Sequence, residues 1–424
     1  MKIAVIGTGI SGNVVAYHLA AKHDVTVYEA NDYIGGHTHT HDIEWNGKRY
    51  AVDSGFIVFN RQTYPNFVRL LDELGVESQP SEMSFSVKSE RNGLEYSGGN
   101  LNQLFAQRRN LFRPRFYVML RDILRFFRES RELLNSYDES LTLGDYLYIN
   151  RYGKAFIDQF IIPMGAAIWS SEPKLMFEFP ACYFVRFFKN HGLLGVDEHL
   201  QWFVIKGGSN SYVNKLTARF HKNIRLNCPV VSIKRYPTHV LIRSEDGDEQ
   251  RFDQVFIASH SDQALRMLHD ASPLEHEILG AIPYQRNDAV LHTDHSVLPK
   301  TRRAWASWNY HILKGEQNRA ALTYNMNILQ SIPLETQFCV TLNNTDAIDS
   351  NKILKRIRYD HPVYTAEGVA AQARQGEING VNRTYFVGAY WRHGFHEDGV
   401  VSALQALDHF QDRTDAQLPL RWAS

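Results

Sequence analysis

The chain has 424 residues, 44% of them hydrophobic and 22% charged, with 46 basic side chains against 46 acidic ones. That zero balance excludes a global nucleic-acid signature, and the length suits two or three domains. Cys182, Cys228 and Cys339 lie too far apart for a disulfide framework or a zinc site, which fits a reducing, cytoplasmic location.

The N-terminus carries the strongest signal. Lys2 to Ile6 reads as a fully buried parallel strand, Asn13 to Lys22 as a helix, and Val25 to Tyr28 as a second strand ending on Glu29. Between strand and helix stand Gly7, Gly9, Ile10, Ser11 and Gly12, a G-x-G-x-x-G element in βαβ context. Gly7 permits the tight turn, Gly9 lets the backbone approach a pyrophosphate, and Gly12 allows close packing of helix on strand. The pyrophosphate is expected on the helix N-terminus and a ribose on Glu29. The strand starting at residue 2 predicts that no leader precedes it, and no run of about 18 apolar residues predicts a membrane span.

After Glu29 and Ala30 come Gly35, Gly36, His37 and Thr38. A double glycine there fits a loop over the pyrophosphate of a flavin nucleotide, or an ordinary turn. No second G-x-G-x-x-G follows, so one dinucleotide is expected and no NADPH domain. His37, His39 and His41 alternate as if on one strand face. They are read as serving the flavin loop, the surface or the core, and no metal is expected.

Asp53 to Asn60, with Gly55 and Phe56, reads as turn then strand. Tyr64 to Leu74 reads as a helix with Phe67, Leu70 and Leu71 on one face. A long helix is predicted after Pro114, and shorter ones at Leu141 to Tyr148 and Lys154 to Phe160. Phe105 to Glu132 holds eight arginines against three acids, interleaved with Phe105, Phe112, Phe116, Phe126 and Phe127. The segment reads as an anionic-membrane surface or as a solvated face whose arginine stems cover core; nucleic acid is not expected. A second aromatic stretch, Phe179 to Phe188, is expected to add to that surface. Strands are predicted at Ile224 to Ile233, Val240 to Arg243, Val255 to Ala258, Ala289 to His292, Gln337 to Leu342 and Thr384 to Val387. The last long helix is predicted from Gly399 to Phe410.

Taken together, these segments resemble the flavin-containing amine oxidase superfamily. The resemblance implies an α/β fold with a Rossmann-type FAD domain of the glutathione-reductase kind and a mixed-sheet plus helical substrate domain. It places Val230 at the adenine, and Gly388, with the amides of Gly399 and Val400 at a helix start, around the flavin. Four segments narrow it: Asp53 to Asn60 with Tyr64-Pro65-Asn66; Asn190 to Leu194 with Gly207-Gly208-Ser209; His292-Thr293-Asp294 with Trp305 to Tyr310; and Gly394 to Gly399. These resemble predicted NAD/FAD-binding proteins encoded beside, or fused to, cyclopropane-fatty-acyl-phospholipid synthases. The chain departs from the amine oxidases in carrying His37 for an arginine, Ala389 for an acid, and His292 with no lysine before Lys300. With no cysteine near the C-terminal motif, FAD is expected to be noncovalent.

The expected division is an FAD domain of residues 1–65, 204–265 and 370–424, and a substrate domain of 66–203 and 266–369. His396, His393, His292, Tyr390 and Trp391 are the candidate catalytic groups, with Glu397 and Asp398 beside them. Either an imidazole moves protons or the cluster braces the loop. Trp305, Trp308, Asn309 and Tyr310 are expected at a pocket or in the core. The expected function is an FAD-dependent oxidoreductase taking hydride from a hydrophobic substrate, an acyl chain of a phospholipid. It would work in the cytoplasm or peripherally on a membrane, partnered by a cyclopropane-synthase-like methyltransferase. The alternatives are a flavin oxidase of small amines and a non-catalytic flavin-carrying partner of a lipid methyltransferase.

Overall fold

The computed structural model describes residues 1–135, 140–195, 200–315 and 318–414; the 415–424 end of the expected FAD domain lies outside them. The strand Lys2–Ile6 (β1) is central in a five-stranded parallel sheet. It pairs with Asp24–Tyr28 (β2) on one side and Gln254–Ile257 on the other. Ile224–Arg225 and Thr384–Phe386 form the edges. Residues Ile3 to Val5 are fully buried: Ile3 and Val5 face a helical layer, and Ala4 faces a layer that includes the strands Val230–Arg235, Val240–Ser244 and Glu249–Phe252.

The helix Ile10–Leu19 (α1) covers one face beside the C-terminal helix His396–Thr414. Both start three residues earlier than predicted. The predicted strand over 224–233 is in fact two. Asn227 takes a left-handed conformation (φ 50°) and Pro229 follows, so the chain leaves the parallel sheet and restarts at Val230–Arg235 in a separate three-stranded sheet.

A seven-stranded mixed sheet forms the second layer, in the order Ile353–Pro362, Tyr284–His292, Cys339–Leu342, Ala321–Asn325, Trp308–Ile312, Phe85–Ser89, Glu95–Ser97. Helices Pro114–Glu129, Leu143–Ile149, Ile162–Trp169 and Ala181–Asn190 pack against one end of it around an aromatic core. Phe184, Phe187 and Phe188 belong to that core, so the second aromatic stretch is not surface. Among the segment's five phenylalanines only Phe112 is exposed. Lys154 leads into a π-helical turn at Ile157–Ile161 before the helix Ile162–Trp169, and Ser170 ends that helix at φ 49°. Among the described residues, no helix is long and apolar enough to cross a membrane.

Candidate active site

A single cavity of about 940 Å³ runs from the start of α1, past the Gly35-Gly36 loop, to the foot of the C-terminal helix and the wall of the seven-stranded sheet. Its first end is built by the glycine turn. Gly7 sits at φ +99°, where a side chain would be strained. A Cβ on Gly12 would lie 2.0 Å from the Gly7 carbonyl oxygen, so Gly12 serves the helix–strand packing and does not line the cavity. A Cβ on Gly9 would meet nothing within 4 Å. No side chain caps α1 and no acid stands in its first turn. Ile10 and Ser11 lie on the cavity wall at that helix start, where unpaired amides favour an anion.

Glu29 and Ala30 line the same end, with Val230 opposite. The Glu29 carboxylate accepts from the Thr8 amide (2.9 Å) and hydroxyl (2.5 Å) and from the Asn31 amide (2.9 Å) and side-chain nitrogen (2.8 Å). Its four lone-pair positions are thus in use, and a ribose hydroxyl must share or displace one of these donors.

Gly35, Gly36, His37, Gly55, Phe56 and Gly388 line the middle. A Cβ on Gly36 would sit 3.1 Å from the Gly9 Cα, so the two glycine loops are in close contact. The strand after this loop starts only at Thr40, so His37 and His39 precede it and the three histidines share no strand face. His37 stacks on Tyr359, His39 stacks on Tyr33, and His41 bonds to the Ser54 hydroxyl. Among the described residues no group of three or more potential ligands is placed to hold a metal.

His396 lies at the second end. Its ring stacks on Phe56 (3.5 Å between centroids), and its Nε2 is 2.8 Å from the Tyr212 hydroxyl and 3.1 Å from the Thr38 hydroxyl. Burial, then His37, holds its pKa well below the ordinary value, so the ring is neutral. Thr38 and Tyr212 stand behind the wall; Tyr212 has no signal in the sequence beyond an aromatic residue in an amphipathic helix. His393 faces the cavity among Tyr183 and Phe187, its Nδ1 without a hydrogen-bond partner. Burial, then His191 and Arg392, lowers its pKa to about 3.

The rest of the acidic cluster is structural. Glu397 accepts from the amides of Asn66 and Phe67, capping the helix Pro65–Glu73 from a distant segment. Asp398 accepts from the Phe395 amide. The Gly399 amide donates to the Phe395 carbonyl at 3.2 Å, and neither Gly399 nor Val400 lines the cavity. Because the helix starts at His396, the expected amide pair is consumed within it.

Tyr390 lines the cavity, whereas Trp391 turns into the core and donates to the Phe386 carbonyl. His292 is buried within the seven-stranded sheet, bonded to the Thr341 hydroxyl and the Asp294 amide, and does not reach the cavity. Of Trp305, Trp308, Asn309 and Tyr310, only Trp308 does. Sequence reasoning missed Met164, Ile168, Trp169 and Phe187, which complete an apolar chamber with Phe85, Trp308 and Tyr324.

These features fit a flavin dinucleotide. The open space at Gly9 admits a pyrophosphate. The orphaned His37 Nε2, Trp169 Nε1, Trp308 Nε1, Tyr364 hydroxyl and His393 Nδ1 all belong to cavity-lining residues and await polar partners.

A family model described as flavin containing amine oxidoreductase matches residues 10–291. Among solved structures, cyclohexylamine oxidase from Brevibacterium oxydans IH-35A is 16% identical with a TM-score of 0.68, over 98% of this chain and 99% of that one. A CLA-producing fatty acid isomerase from P. acnes is also 16% identical with a TM-score of 0.68, over 96% and 98%. Putrescine oxidase bound to putrescine is 15% identical with a TM-score of 0.66, over 97% and 99%. No curated protein matches the sequence.

Proposed function

Since the chain belongs to the flavin-containing amine oxidoreductase family and is an FAD-dependent oxidoreductase, we propose that its substrate is an apolar carbon chain, the acyl chain of a phospholipid. One observation carries this reading. The chamber beyond His396 is walled by Phe85, Met164, Ile168, Trp169, Phe187 and Trp308, and among the described residues the only carboxylates lining the cavity are Glu29 and Asp360. Glu29 belongs to the nucleotide end. A site for a charged amine needs an acid or a ring of acceptors near the reacting carbon; an acyl chain needs shape and dryness. The fold is shared with a fatty acid isomerase as well as with amine oxidases, so it permits either substrate.

In this reading the glycine turn and α1 hold the pyrophosphate, Val230 faces the adenine, and His37, Phe56, Gly388 and Tyr390 hold the ring system. When bound, FAD supplies the hydride acceptor. The chain's own side chains strip water from the acyl segment and align one C–H bond with the ring. His393, neutral and with a free Nδ1 on the wall, relays the proton released when a double bond forms, or returned when one moves; a pKa near 3 makes it pass that proton on rather than keep it.

The second reading, a small-amine oxidase, draws on the substrates named for two structural relatives. Anaerobic flavin spectroscopy separates the two. Bleaching of the oxidised flavin by vesicles of modified acyl chains, with none by amines, supports the acyl reading. Bleaching by amines alone overturns it. Bound flavin that nothing bleaches, with no double-bond migration in the recovered lipid, favours a carrier role beside a lipid methyltransferase.

A further inference from the structure

The helical end of the molecule carries a surface the active site does not use. Nine of the fourteen exposed large apolar side chains among the described residues fall between 101 and 177. Phe112 is 86% exposed, Tyr148 84%, Leu101 75% and Ile149 65%. The elements that bear them touch. The Tyr117 hydroxyl donates to the Leu111 carbonyl (3.0 Å), next to Phe112. Arg125 donates to the Asn150 carbonyl, next to Ile149. Along the helix Pro114–Glu129, exposed Tyr117, Arg121, Leu124 and Arg128 recur at spacings of four, three and four residues, which makes one stripe.

The charges sort by direction. Arg125 is drawn inward by Asp122 and Glu129, and Arg131 donates to the Phe127 and Leu194 carbonyls. Asp122, 1% exposed, is held by Arg121, Arg125 and the Gly153 amide. Outward, Arg113 and Arg115 make no ion pair among the described residues. The Arg121 and Arg128 side chains stay 68% and 77% exposed although each touches an acid. The surface is therefore an apolar ridge rimmed by guanidinium groups; of its segment's acids Asp122 is buried and Glu129 half-buried, and only Glu132, beyond the end of the helix Pro114–Glu129, is exposed.

We propose that this face, residues 101–128 with Tyr148 and Ile149, docks on an anionic phospholipid bilayer. Phe112, Leu124 and Tyr148 enter the acyl boundary while the guanidinium groups meet lipid phosphates. A second copy of the chain would bring arginine against arginine. Single-stranded nucleic acid would stack on Phe112, Tyr117 and Tyr148 but gives no role to the aliphatic side chains of Leu101, Leu124 and Ile149 exposed beside them, which an acyl boundary takes up. The docking stands independently of the acyl reading, because it is measured without turnover.

The test is cosedimentation of the full-length flavoprotein with vesicles of phosphatidylcholine, alone or mixed with phosphatidylglycerol, at low and high salt. The expected result is binding that requires phosphatidylglycerol and weakens with salt. Arg113→Glu with Arg115→Glu should weaken it on the order of a hundredfold. Phe112→Ser should weaken it on the order of tenfold. Unchanged flavin absorption and melting temperature would show that the variants remain folded. Binding to neither vesicle, equal binding to both, or variants that bind like the parent would overturn the proposal. So would substitutions that instead disperse a dimer or abolish binding to a single-stranded oligonucleotide.

Discussion

The Ser11 hydroxyl donates to the Gly399 carbonyl at 2.9 Å, joining α1 to the C-terminal helix across 388 residues of sequence. Gly399 has no room for more: a Cβ there would lie 2.6 Å from Ile10 Cγ2 and 2.9 Å from Ser11 Oγ. Gly399→Ala should push the two helices apart and lower stability by about 2 kcal/mol. Ser11→Ala, which removes only the hydrogen bond, should cost about 1 kcal/mol. Chemical denaturation ranks the two; a harmless Gly399→Ala would mean that the helix contact is looser than the distances say.

Gly9 and Gly12 belong to one motif but should fail in different ways. Gly12→Ala drives a methyl into the Gly7 carbonyl and should cost about 3 kcal/mol or more, with little folded protein recovered. Gly9→Ala meets open space at an ordinary φ of −63°, so the fold should survive while flavin content drops. Flavin-to-protein absorbance ratios beside circular dichroism would decide. A folded Gly9→Ala protein with full flavin would remove the pyrophosphate from this turn.

His396→Phe should be mild for stability. The Thr38 and Tyr212 hydroxyls remain bonded to each other at 2.6 Å, so neither is orphaned when the imidazole goes. A loss of about 1 kcal/mol is expected, readable in a melting curve. A loss above about 3 kcal/mol would recast His396 as a structural keystone.

His393→Phe should retain the flavin and the fold, since Nδ1 has no protein partner to lose. Flavin reduction by the true substrate should slow about a hundredfold. Stopped-flow absorbance under nitrogen would show it, and an unaltered rate would take the proton-transfer role from this residue.

Stability should fall in mild acid. Burial lowers the pKa of His37, His41, His191, His260 and His292 to about 4 each, against 6.5 in the unfolded chain. Between those values the unfolded state binds more protons, so stability present above pH 6.5 is lost as pH falls towards 4. Asp53, raised by burial to about 6, and Asp398, raised to about 7, work the other way but are fewer. The urea midpoint should therefore be lower at pH 5 than at pH 7. An equal or higher midpoint at pH 5 would count against this balance.

The nucleotide end was legible because its chemistry is local: turn, helix start and strand-end acid lie within Gly7 to Glu29. The second end was not. Tyr212, Met164 and Trp169 reach the site only through pairings and helix packing that no short window reveals. His292 was misplaced because a position matched to a distant family says nothing of the sheet interior around it, where Thr341 satisfies the ring. Gly399 was read as a cofactor contact, but its lack of a side chain answers to Ile10 and Ser11. Phe179 to Phe188 looked like surface beside its basic neighbours, yet its spacing buries all four of its phenylalanines.

The pairing of β1 with Gln254–Ile257, and of that strand with Thr384–Phe386, bears on how the protein is made. A ribosome delivers the glycine turn well before Gly388 and the helix His396–Thr414, which close the cavity. Until then the strand Gln254–Ile257 lacks its outer neighbour and the dinucleotide site lacks a wall. The site is therefore complete only in a chain that extends past Gly388, and truncations before residue 384 should yield chains that do not retain flavin.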